Sequence, residues 1–205
     1  MPQSCRSASV ANVADPAIGD RTSDVSHVRS VNLVTDLRNP VCRSDCYVAL
    51  VILWINGAFG AGKTTVAKEV VARLPDARLC DPERIGFVIR QTLWRGVDYQ
   101  DVELWRRLVR SRVARVGRRG IAVVPMTVVS PEVFDEVTAN ARVFVLTASR
   151  STLEGRIAGS SVAPEWRTNN LNRCLAAFDM YDLGEPICTD GHTPKQIAQK
   201  ILERI

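Results

Sequence analysis

The chain has 205 residues, 46% of them hydrophobic and 24% charged, and carries a formal net charge of +5. That length suits one domain, or one domain with an appendage, and an apolar fraction of this size excludes disorder of the whole chain. The longest apolar run, Tyr47 to Ile55, falls short of the ~20 residues a membrane-spanning helix needs, and the first 40 residues hold no apolar core of a secretory signal, which points to the cytoplasm.

Residues 1–46 contain five arginines and five aspartates, so the whole excess of positive charge belongs to residues 47–205. No helical or strand period is sustained in the first 46 residues, and the segment reads as a flexible N-terminal extension, or as residues upstream of the true start. The domain is expected over 47–205. Tyr47 to Ile55 is a β-branched and aliphatic run of the kind found in parallel strands buried on both faces. A glycine-rich turn comes next, then a helix from about Lys63 to Leu74, stopped by Pro75. A short strand from Ala77 to Cys80 leads to Asp81-Pro82, a cap and first-position proline for a helix running to about Trp94. A further helix is expected from near Asp98 to about Gly117. Next comes a strand within Gly120 to Val129, whose Pro125 suggests an end at Val124. Ser130-Pro131-Glu132 opens a helix, Arg142 to Thr147 forms a strand, and Ser149 to Ile157 a helix. Gly159 to Asn170 reads as a polar loop and Leu171 to Met180 as a helix. A last strand, Pro186 to Thr189, and a closing helix, Pro194 to Ile205, complete the pattern. Five short strands between helices predict a three-layer, doubly wound α/β fold.

Six cysteines are scattered through a chain with no export signal, so free thiols are expected. Cys42, Cys46 and His27 do not make a common zinc pattern. His192 reads as a surface residue.

Gly57-Ala58-Phe59-Gly60-Ala61-Gly62-Lys63-Thr64 fits G-x-x-x-x-G-K-[ST], between a buried strand and a helix, with Thr65 after it. Glycines let the backbone N–H groups wrap a phosphate chain, and the helix N-terminus adds a positive dipole end. Lys63 is expected at the β- and γ-phosphates of ATP and the Thr64 hydroxyl on Mg²⁺. The guanine motif N-K-x-D of GTPases is missing. The strand Ile121-Ala122-Val123-Val124 runs into Pro125-Met126-Thr127 rather than into a carboxylate, so Asp81, at the end of the second strand, is the candidate metal partner.

Trp54 to Thr64, Asp81 to Phe87 and Val124 to Val129 together resemble the bacterial tunicamycin-resistance protein family, across about residues 48–205. That resemblance implies a P-loop fold of the nucleoside-kinase-like branch, ATP binding, and protection against tunicamycin, a uridine-containing antibiotic. The N-terminal extension departs from the family pattern, and the longer amphipathic C-terminal tail of membrane-contacting members is missing.

Asp81 suits a base for an acceptor hydroxyl or a Mg²⁺ ligand, and equally a helix cap. Glu83, Arg84 and Arg90 are candidates for substrate contact or for solvated surface. Thr127 stands where the missing carboxylate would be, as a donor to phosphate, water or acceptor. By analogy with small-molecule kinases, Arg156, Arg167 and Arg173 are lid candidates around a transferring phosphoryl group, with surface arginines as the plain alternative. Trp166 is either a lid anchor or a packing residue. The arginine-rich helix over 102–119 reads as a solvated basic face above a buried apolar stripe. An anionic-lipid or nucleic-acid surface is the sharper alternative, without a supporting motif. The expected function is phosphoryl transfer from ATP to a small nucleoside-like molecule. The alternatives are ATP-dependent sequestration of tunicamycin and a kinase for another hydroxylated metabolite or antibiotic. No nucleic-acid partner is expected, and membrane contact is at most peripheral.

Overall fold

The computed structural model describes residues 51–82 and 99–205. The N-terminal extension, the expected helix after Pro82, and the candidates Glu83, Arg84 and Arg90 lie outside the described residues.

Five strands form one parallel sheet: β1 (Ile52–Gly57), β2 (Ala77–Leu79), β3 (Ile121–Pro125), β4 (Ala141–Thr147) and β5 (Glu185–Cys188), in the order β2-β3-β1-β4-β5. Among the described residues six α-helices connect or follow them: α1 (Lys63–Val71), α2 (Glu103–Gly117), α3 (Pro131–Thr138), α4 (Arg150–Ala158), α5 (Pro164–Met180) and α6 (Pro194–Leu202). The doubly wound α/β architecture read from the alternation of strand and helix signals is thus the observed one.

β1 is central and buried along its whole length, which is why its sequence is apolar from Ile52 to Ile55. Its side chains alternate between two cores. Leu53 and Ile55 pack with Val66, Ala67 and Val70 of α1, Leu153 and Ile157 of α4, and Ile197 and Ile201 of α6. Ile52 and Trp54 pack on the other face with Trp105, Val109 and Val113 of α2 and Val133 and Val137 of α3. Burying an apolar side chain of this kind contributes about 1.5–3 kcal/mol. The Arg106 and Arg110 pairs with Glu136 are solvent-accessible, and such pairs contribute ~0–1 kcal/mol. The apolar stripe therefore holds α2 in place, and its arginines decorate a solvated face, with Arg107, Arg112, Arg115, Arg118 and Arg119 exposed.

Pro125 belongs to β3, pairing with Ile55, rather than lying past its end. The ladder donors of alternate residues point to opposite neighbours, and Met126 donates to Ile55 on the β1 side. The donor that proline lacks would face the β2 side, where Cys80 still donates to the Val123 carbonyl at 2.8 Å; the proline ends that ladder there, while the β1 side continues through Met126.

Two expectations about helices need correction. The helix expected from Asp98 begins at Glu103, after a 3₁₀ turn at Tyr99–Asp101. The segment read as a loop over 159–170 is mostly helix, because α5 starts at Pro164. Its first two turns are polar and largely exposed, so no apolar period betrays them. They are set by proline at the helix start, by Trp166 packing on Phe59 and by Asn170 donating to the Trp166 carbonyl. Ser130, Ser149 and Thr193 cap α3, α4 and α6 as their sequences require, Thr193 through a full capping box with Gln196. Among the described residues no helix is long and apolar enough to cross a membrane, and Cys80, Cys174 and Cys188 are not joined in disulfides.

Candidate functional site

The turn between β1 and α1 is built as the glycine spacing demands. Gly57 has φ +139°, and a Cβ there would stand 2.6 Å from the Leu146 carbonyl oxygen on β4. Gly60 has φ +82°, and a Cβ would stand 2.7 Å from the carbonyl oxygen of Leu153. Only glycine allows the loop to lie this close to β4 and α4. Lys63, the first residue of α1, is buried, and its Nζ donates to the Gly57 and Ala58 carbonyls at 3.0 Å each. The ammonium also lies 5.6 Å from the Phe59 ring centre. Thr64 and Thr65 are exposed on the first turn of α1.

Below the loop, the end of β3 is tied to the end of β1 by a buried polar cluster. Asn56 is 0% exposed; its Oδ1 accepts from the Gly57 and Val128 N–H groups at 2.9 Å each, and its Nδ2 donates to the Val128 carbonyl at 3.0 Å. Thr127, 4% exposed, donates its hydroxyl proton to the Gly57 carbonyl at 2.9 Å, and Gln100 donates to the Thr127 carbonyl. The Thr127 proton is therefore committed to the loop from beneath rather than turned outward. Sequence reasoning passed over Asn56. The signal was present: an amide inside an otherwise apolar buried strand must find partners for every polar atom.

Asp81 comes after β2 and is half-buried, next to Cys80. Burial pushes the Cys80 thiol up from its ordinary value, and Arg112 opposes the shift. Among the described residues no group of three or more His, Cys, Asp or Glu is placed to hold a metal. A Mg²⁺ ion carried on phosphate oxygens needs only one or two protein oxygens, and Thr64 and Asp81 have that chemistry.

On the other side of the loop a cavity of about 210 Å³ is lined by Ala61, Gly62, Thr65, Arg156, Thr189 and His192, with Pro194 and Ile197 behind them. Arg156 donates to the Thr189 hydroxyl at 3.0 Å and reaches the Gly60 carbonyl at 3.4 Å, so it stands against the loop from the last turn of α4. Arg167, by contrast, donates to Ser160 in the turn before α5, and Arg173 is exposed on α5. Trp166 packs edge-on against Phe59 with ring centres 5.0 Å apart, which carries the start of α5 onto the phosphate loop. His192, expected at the surface, lines the cavity, with Nδ1 2.7 Å from the Asp190 carbonyl and Nε2 2.8 Å from Lys200 Nζ. Neither the Trp166–Phe59 contact nor the His192 wall is visible in local sequence, because each joins segments about a hundred residues apart.

Asp190 closes the cluster, accepting the Ser149 N–H at 2.7 Å across the start of α4. Burial raises its carboxyl pKa, but hydrogen bonds from Ser149 and Thr152 and the Arg156 charge outweigh it, and the net shift is downward. A depressed carboxylate contributes stability that is present above its unfolded-state value, about 4, and is lost as pH falls through its folded-state value. Asp190→Asn is accordingly expected to lower the melting temperature by a constant amount at neutral pH, with the gap closing as both proteins are melted at pH 4 and then 3. A gap that stays constant to pH 3 would contradict this.

The family model for adenylylsulphate kinase matches residues 49–151, which spans the phosphate loop, both flanking strands and the start of α4. The chain belongs to the adenylylsulphate kinase family. No curated protein matches it. Among solved structures, it is similar to the tunicamycin resistance protein of Deinococcus radiodurans, with 24% identity over 75% of this chain and 94% of that one and a TM-score of 0.59. The gluconokinase of Sinorhizobium meliloti 1021 gives 13% identity, 76% and 93% coverage and a TM-score of 0.56. The adenylylsulphate kinase of Mycobacterium tuberculosis, solved with AMPPNP and APS, gives 16%, 75% and 95%, with a TM-score of 0.54. Likenesses at these identities establish a shared P-loop kinase fold.

Proposed function

We propose that this member of the adenylylsulphate kinase family binds Mg²⁺–ATP on the Gly57–Thr65 loop and transfers the terminal phosphoryl group to a small, nucleoside-like acceptor, with tunicamycin the first candidate. The observation that carries the reading is Lys63, a buried ammonium held on two carbonyls of a glycine-built cradle at a helix N-terminus. Phosphate oxygens are stronger acceptors than those carbonyls, so the ammonium has a place to move to when the cradle fills. The cavity beside Thr65, with Arg156 and His192 in its walls, adjoins the loop and is the proposed seat of the ATP base. Bound Mg²⁺ would neutralise charge on the phosphate oxygens, with Thr64 and Asp81 as its protein oxygens. Asp81 is also the proposed acceptor of the hydroxyl proton during transfer. Arg156 and Arg167 are proposed to counter charge on the transferring group, Arg156 from beside Gly60. The tunicamycin assignment rests on the motif resemblance and on the fold shared with the Deinococcus radiodurans protein.

A second reading, capture of the antibiotic with ATP but without chemistry, is favoured by one observation. The end of β3 offers Thr127 and Val128, both tied up with Asn56 and Gly57, where a metal-ordering carboxylate would otherwise stand. A third reading keeps the transfer and changes the acceptor to another hydroxylated metabolite or antibiotic.

Purified protein incubated with γ-labelled ATP and tunicamycin, then with a panel of nucleosides and hydroxylated small molecules, separates the three. Labelled product identifies a kinase and its acceptor; tight binding of tunicamycin with no label identifies capture. For the kinase, Asp81→Asn is expected to slow transfer by roughly 10²–10³-fold and to leave ATP affinity nearly unchanged. Under capture the same variant leaves resistance intact.

A further inference from the structure

The Gly57 carbonyl oxygen accepts two hydrogen bonds at once, from Lys63 Nζ at 3.0 Å and from Thr127 Oγ1 at 2.9 Å. Gly57 is the last residue of β1, and its N–H is already held by Asn56. The Ala58 carbonyl, which Lys63 also holds, has a second donor as well, the Ala61 N–H at 3.2 Å. Each carbonyl that the lysine would leave on reaching a phosphate thus keeps one partner. For Ala58 that partner is the loop's own backbone, whereas for Gly57 it is a single side chain from the end of β3.

We infer that Thr127 is a positioning residue whose hydroxyl keeps the Gly57 carbonyl hydrogen-bonded when Lys63 transfers to the nucleotide phosphates. This rests on the proposed binding of ATP and assigns Thr127 a task different from contact with phosphate or acceptor. The physical basis is an asymmetry between the two states. Without nucleotide, a Thr127→Val protein still has Lys63 on the Gly57 oxygen, and valine fills the same volume. With nucleotide, the same oxygen is buried with no donor, which is costly. Removal of the hydroxyl therefore penalises the bound state and spares the free one. A residue that merely packs would show the opposite pattern, with lost stability and unchanged affinity.

Mg²⁺–ATP titrations followed by calorimetry, paired with melting curves of the nucleotide-free proteins, test this on the full chain. Thr127→Val is expected to weaken Mg²⁺–ATP binding roughly tenfold while melting within a few degrees of the wild type. Thr127→Ser, which restores the hydroxyl, is expected to recover most of the affinity. Unchanged affinity in Thr127→Val overturns the inference, whatever the melting temperature does. Equal weakening in Thr127→Ser overturns it too, because the hydroxyl is then not the operative group. Failure of the wild type itself to bind Mg²⁺–ATP would instead sink the ATP reading, and the inference with it.

Discussion

Lys63→Ala is expected to fold normally and to bind Mg²⁺–ATP roughly 100-fold more weakly than the wild type, since hydrogen bonds to a charged group are worth about 1.5–3 kcal/mol each. The normal folding is the less obvious half. A buried lysine whose removal exposed two orphaned carbonyls would destabilise the loop. Here the Gly57 oxygen keeps Thr127 and the Ala58 oxygen keeps the Ala61 N–H, so neither is stranded. Melting curves within a few degrees of the wild type, with nucleotide binding lost in calorimetry, would match this expectation. A protein that melts far lower would mean that Lys63 is a structural pin, and retained affinity would remove the loop from the nucleotide site.

Gly57→Ala is expected to be strongly damaging, costing roughly 2–4 kcal/mol of stability. Two penalties coincide. The backbone sits at φ +139°, which L side chains rarely adopt, and the new Cβ would meet the Leu146 carbonyl oxygen at 2.6 Å and the Leu146 nitrogen at 3.2 Å. Both atoms belong to the backbone of a central strand, so they cannot swing aside. Relief requires β1 and β4 to part, or the Gly57 peptide to rotate away from Asn56, Thr127 and Lys63. Nucleotide binding should therefore fall together with the melting temperature, by several degrees or more. Gly62→Ala is the control: it is also left-handed, at φ +91°, but nothing lies within 4 Å of the added carbon. Its cost is expected at about 1 kcal/mol. Similar melting temperatures for the two variants would show that strain alone, and not the approach to β4, governs the loop.

These two residues also mark how far local sequence reaches. Gly57 and Lys63 are legible because a phosphate cradle has a fixed residue spacing and its chemistry is confined to eight consecutive positions. The capping serines before α3 and α4 are legible for the same reason, since a cap and its partner lie three residues apart. The polar start of α5 reads as loop in the sequence because its helix is fixed by contacts with Phe59 and by proline at its first position rather than by an apolar period. Pro125 misleads in the other direction. Its place in β3 is set by the register with Ile55 on β1, and register is a property of the assembled sheet.

By itself, then, the sequence determined the alternation of strands and helices, the parallel sheet buried on both faces, and the loop that carries Lys63 and Thr64. Each comes from periodicity, capping or spacing within a short window of chain. Only the tertiary structure decided where the remaining polar groups point. Thr127 lies beneath Gly57, Arg156 stands against Gly60 and Thr189, and His192 lines the cavity beside Thr65. The hydrogen bonds among them join residues 33 to 96 positions apart. Bonds of that span exist only once the β-sheet has fixed the distance between its strand ends.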